Sequence, residues 1–173
     1  MEFRRVQRNV EDFLTYVPHR NSLTFIITMN NLSLIGLKRQ LEIILELRRK
    51  HSKTYQRVWF DTPLLRTPSW QSLQILPESY TYILEEVIEW MKMYRETPEV
   101  PFNGFKDYEI QRMERDLDWM REGSKLDPAY VKLQRADFYR FFNEHDKRRS
   151  TDFETTFPQM AEFWRECRHH AQK

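Results

Sequence analysis

Apolar positions along this chain change period twice, and the changes divide it into elements. Phe3, Val6, Val10, Phe13 and Leu14 recur at helical spacing, with Arg4, Arg5, Arg8, Glu11 and Asp12 between them. That predicts an amphipathic first helix. Pro18-His19-Arg20-Asn21-Ser22 breaks it. The run Leu23–Met29 is then almost continuously apolar, β-branched and aromatic, and predicts a strand buried on both faces, as in parallel sheets. Asn30-Asn31 ends the strand. Ser33 is a candidate N-cap for a long helix with Leu34, Leu37, Leu41, Ile44 and Leu45 on one face, ending in Arg48-Arg49-Lys50-His51. Val58-Trp59-Phe60 is a second predicted strand. The order is that of a right-handed βαβ unit. Two parallel strands alone leave two open edges and do not make a self-sufficient sheet. Either the chain holds a further strand or other protein supplies the rest.

Beyond Pro77 the pattern is helical throughout. Ile83, Val87, Trp90, Met91 and Tyr94 form one predicted face, and Ile110, Met113, Leu117 and Met120 another, closed by Gly123. Asp127-Pro128 is an N-cap followed by a first-turn proline, opening a helix with Val131, Phe138, Phe141 and Phe142. Glu144–Arg149 reads as a charged turn. Pro158 is expected to start a last helix with Met160, Phe163, Trp164 and Cys167.

Composition narrows the functional classes. The 173 residues are 40% hydrophobic and 31% charged, with a formal net charge of +2, which gives no strong field toward nucleic acid or a membrane surface. No apolar run approaches a membrane span, and the first residues lack the apolar core of a signal peptide. A single cysteine, Cys167, provides no disulfide framework, so a cytoplasmic location is the expectation. The three glycines form no phosphate-cradling loop, and the five histidines and one cysteine show no metal-ligand spacing.

Candidate chemistry gathers after the predicted strands. Asn30 and Asn31 stand at the carboxyl end of the first, where α/β proteins place ligands. They are equally ordinary turn residues. Asp61, Arg66, Trp70 and Gln71 follow the second strand. They offer an acid, a fork-shaped cation and an aromatic platform for a polar substrate, or else a capped turn and a surface ion pair. Arg48-Arg49-Lys50 reads as a nucleic-acid patch or as complement to the helix macrodipole, the latter being favoured. His145 is an acid/base candidate between two carboxylates, or part of a salt-bridged turn. Cys167 lies on an apolar face, as a buried inert thiol does. His169 and His170 are expected to fray.

FIITMNNLSL, the long helix and RVWFDTPLLRTPSWQSLQILPESY resemble the end of the catalytic barrel of radical SAM enzymes of the twitch-domain, SPASM-like type. The segments FKDYEIQRMERDLDWM and FNEHDKRRSTDFETTFPQMAEFWRECR resemble the carboxyl-terminal part of the same proteins. The resemblance implies α/β followed by helices. Residues 1–77 would hold the last strands and helices of a partial (β/α)6 barrel, and residues 78–173 an α-helical extension. It implies that Asn30, Asn31, Phe60, Asp61 and Thr62, with Leu64, lie toward S-adenosylmethionine, and that Arg66, Trp70 and Gln71 look toward substrate. It also implies that the CxxxCxxC loop, which binds the family's iron–sulfur cluster, belongs to an earlier strand. No CxxxCxxC occurs here, and one cysteine cannot hold the cluster. The expectation is a segment inactive alone, with no cofactor or catalytic residue of its own, completed by a separately encoded amino-terminal half. The rival expectation is a non-enzymatic, mostly helical binding or scaffolding protein. A free-standing hydrolase using Asp61 and His145 is a third class, for which no nucleophile–base spacing is visible.

Overall fold

A computed structural model describes residues 3–18 and 20–172. The elements are α1 (Phe3–Tyr16), β1 (Leu23–Ile26), α2 (Ser33–His51), β2 (Val58–Asp61), α3 (Thr81–Met93), α4 (Asp107–Arg121), α5 (Pro128–Arg149), α6 (Phe153–Thr156) and α7 (Ala161–Ala171), with short 3-10 turns between them. The chain is therefore mostly helical, with one two-stranded parallel sheet; no barrel is closed by the described residues. Among the described residues, no helix is long and apolar enough to cross a membrane.

The two strands pair in parallel, with Leu23 opposite Val58 and Phe25 opposite Phe60, and the ladder resumes once at Met29 and Leu64. The expectation that β1 is buried on both faces is wrong. Helix α2 covers only one face, so Thr24 is exposed and Ile26 keeps 64% of its surface in contact with solvent. Asp61 belongs to β2 rather than to the loop after it. Glu144–Arg149 is not a turn but the end of α5, which stops at Ser150, a residue with left-handed backbone (φ 53°). His169 and His170 lie within α7.

The sheet's two edges differ. In a parallel pair the inward backbone groups of alternate residues bond the neighbour and the others point away. On β2 the outward carbonyls are taken by side chains: Val58 O accepts from Arg48 Nε (3.0 Å) and Gln56 Nε2 (2.7 Å), and Phe60 O from Arg112 (3.4 Å). Arg48 is the keystone of this edge and not a surface patch, and it stands with Arg49 and Lys50 in the last turn of α2. It is wholly buried. It donates to both carboxylate oxygens of the equally buried Glu109 on α4, at 2.9 and 2.6 Å, and to Gly104 O at 2.9 Å. Phe60 and Phe105 lie 5.4 and 5.7 Å from its guanidinium carbon, within cation–π range. Glu109 also accepts from the Lys106 N–H, holding the first turn of α4. Gly104 is required where it is, because a Cβ there would stand 2.5 Å from Glu96 N.

A second buried arginine, Arg57, donates to Leu14 O, Val17 O and Asn21 O, and so ties the end of α1 to the start of β2. The carboxyl-terminal helices close on aromatic side chains. Phe138 of α5 meets Phe153, Phe163 and Trp164, and Phe153 stacks on Trp164 at 4.3 Å. The apolar core is continuous from Leu14 to Cys167.

Removing one partner of a buried ion pair leaves an unpaired charge, whereas replacing both by apolar residues does not. Glu109→Ala is therefore expected to lower unfolding free energy by about 3–5 kcal/mol. Chemical denaturation should show a distinctly smaller loss for the double variant Arg48→Met with Glu109→Leu.

Candidate functional site

The carboxyl ends of β1 and β2 are polar, and most of that polarity is used internally. Asn30 Oδ1 accepts from the N–H groups of Leu32 (2.9 Å) and Ser33 (3.0 Å), while Ser33 Oγ donates to Asn30 O. Asn30, rather than Ser33, thus satisfies the open N–H groups at the start of α2. Asn31 is fully buried and clamps the following loop: its N–H reaches Gln71 O (3.1 Å) and its Nδ2 reaches Trp70 O (3.0 Å).

The loop residues do not converge on one pocket. Trp70 turns toward α5 and packs on Phe141 (4.5 Å between centroids) and Phe142. Gln71 meets Asn31 through its backbone. Arg66 is exposed and lies over Trp119 of α4, 5.1 Å from the ring centroid. Phe60 is buried edge-on against Phe105, and Leu64 forms the bridge to Met29. His145 is not held between two carboxylates: its Nδ1 lies 3.6 Å from Asp146 Oδ1, while Glu144 pairs with Arg148, and Asp146 also accepts from Thr151 and the Phe153 N–H. It therefore shares no contact with Asp61, which pairs with Arg112 and accepts from the Thr62 N–H.

What α4 brings to the end of β2 was not foreseen. Arg112, Asp116 and Trp119 lie on the side of α4 facing Asp61, Thr62 and Arg66. Asp116 is 3% exposed, and its Oδ2 has no hydrogen-bond partner; nor do Thr62 Oγ1, Trp119 Nε1 or Asn31 Oδ1. Buried polar atoms are ordinarily satisfied, so these four mark where water or a ligand atom completes the structure. Burial pushes the Asp116 carboxyl up to about 6, against the opposing positive charges of Arg112 and Arg115. The spacing of 112, 116 and 119 places them on one side of a helix. Nothing in that spacing points to the strand they meet.

The cluster implied by the family resemblance does not fit these residues. Cys167 is buried on α7, and burial raises its thiol pKa, which disfavours the thiolate a metal needs. Among the described residues, no three His, Cys, Asp or Glu side chains are grouped so as to hold a metal ion. Compared with protein-family models, curated proteins and solved structures, the chain matches none.

Because the folded state holds a proton on Asp116 that the unfolded chain releases near pH 3.8, the contribution of Asp116 to stability falls as pH rises from there through about 6. Asp116→Asn is expected to remove that decline and to raise stability at neutral pH by up to about 3 kcal/mol. Denaturant titrations of both proteins across that range check it. A stability difference between the two proteins that stays constant over the same interval contradicts the assignment.

Proposed function

We propose that this chain is the closing segment of a β/α barrel of the radical SAM, twitch-domain type. It performs no cluster chemistry alone and contributes one wall of an S-adenosylmethionine and substrate pocket to an amino-terminal half. The observation that carries the reading is the one-sided sheet. Two parallel strands joined by a helix are covered on one face and bare on the other, where Thr24 and Ile26 are exposed and Trp59 and Asp61 half-buried. Last strands of an interrupted barrel have this form, with helices outside and the inner face awaiting neighbours. Asp61 and Thr62 end the inner strand, where β/α barrels collect ligand contacts. Asn30 and Asn31 support that wall by shaping its loops, Arg112 pairs with Asp61 in it, and the exposed Arg66 lies over Trp119 beside it.

The second reading, a non-enzymatic helical binding protein, draws on the core that runs unbroken from α1 to α7 and on the sealed outer edge of β2. One experiment separates the two. The chain is purified alone and together with a polypeptide bearing the CxxxCxxC half, and both are reconstituted anaerobically with iron and sulfide. The expected result is no brown chromophore from the chain alone. The pair should form an equimolar complex that binds S-adenosylmethionine, about tenfold more weakly with Asp61→Ala. A cluster on the isolated chain, or a monodisperse chain that ignores the half, sinks the barrel reading.

A further inference from the structure

Strand β1 has an edge that nothing among the described residues covers. Leu23, Ile27 and Met29 direct their N–H groups to Arg57 O, Asp61 O and Pro63 O, all at 2.8 Å. By the alternation of a parallel ladder, Thr24, Ile26 and Thr28 direct theirs to the opposite side. There, only Thr28 O receives a hydrogen bond, from Asn30 Nδ2 at 3.3 Å. This contrasts with β2, whose outward carbonyls are taken by Arg48, Gln56 and Arg112. Apart from the shortness of β1, the edge carries little of the usual protection: no proline, no lysine and no bulge interrupts Leu23–Met29.

Beside this edge lies a groove of about 360 Å³ between α1 and α2, lined by Val6, Val10, Phe25, Ile43 and Leu47, by five polar or charged side chains of α1 and α2, and by no residue of β2. Phe25 belongs to the sheet face that α2 covers. A strand added to the edge would place alternate side chains on that same face, over the groove. The remaining side chains would lie beside Ile26, on the bare face.

We infer that the edge of β1 and the α1–α2 groove together bind an extended strand of another polypeptide, parallel to β1 and apolar at alternate positions. The backbone selects the occupant, because an extended chain presents N–H and C=O groups at the period of Thr24, Ile26 and Thr28, which a helix does not. The position of α1 selects the direction. It enters β1 from the face that α2 occupies, as a crossover helix does when it arrives from a neighbouring parallel strand. A second copy of this chain does not meet that requirement, because two β1 edges related by a two-fold axis run antiparallel.

The inference deepens the barrel reading by naming the edge at which the other half joins. Its test needs neither cluster nor S-adenosylmethionine. An amino-terminal half that associates while no strand binds at β1 would leave that reading standing and overturn this one. The probe is a synthetic heptapeptide alternating valine and threonine, with lysines at both ends and a nitroxide at the amino end. Expected are saturable binding, protection of the Thr24 and Ile26 amides from exchange, and paramagnetic broadening strongest near Leu23. Ile26→Pro removes one outward N–H that the fold does not use, and Val10→Glu places a charge in the groove. Each should weaken binding about tenfold or more while leaving the circular dichroism unchanged. A backbone N-methylated peptide should not bind. No binding, binding indifferent to N-methylation and to Val10→Glu, broadening strongest near Met29, or self-association of the chain through this edge in the ultracentrifuge would each overturn the proposal.

Discussion

The buried pair of Arg48 and Glu109 is the constraint on which the rest of the molecule depends. It joins α2, which belongs to the βαβ unit, to α4, which belongs to the helical half. Neither charge tolerates burial alone, so the two helices must meet in one register. The guanidinium then satisfies the Val58 and Gly104 carbonyls as well, and two aromatic rings flank it. A lysine has no planar fork with which to make these contacts together.

Sealing β2 in this way leaves the sheet asymmetric. The edge and face toward α4 are tied up by side chains, and those toward solvent on β1 are not. The same placement of α4 brings Asp116 and Trp119 to the end of β2, where Thr62 waits without a partner. The polar cluster and the open edge are thus two results of one docking event.

On the reading proposed above, these features would share one meaning, the end of a barrel with its ligand wall at the strand ends. The residues nearest that wall divide by what they do in the fold. Asn30, Asn31 and Trp70 organise loops and packing. Asp61, Thr62 and Asp116 keep chemistry unspent, since Asp61 has a single cation beside it and the other two have buried unpaired atoms.

Local periodicity was enough to read the first helix, the strand–helix–strand order and the helical second half, because each element carries its own apolar repeat. The two-stranded parallel sheet was legible too, since Leu23–Met29 and Val58–Phe60 are the two runs with strand pattern. Asp61 drew attention from its place at the end of a strand, while Thr62 entered only through the family resemblance. What the sequence could not decide was partnership. Arg48 sat in a run of basic residues that looked like surface, and its burial depends on Glu109, sixty-one positions away. Asp116 looked like an ordinary helix-surface acid until α4 was docked. Which face of β1 stays bare, and which edge stays open, likewise follow from where α2 and α4 come to rest. Short-range pattern determined the elements, because hydrogen bonding within a helix and alternation along a strand are local. Only the tertiary structure decided which charges are buried and which edge is free, because those depend on contacts between segments with no common repeat.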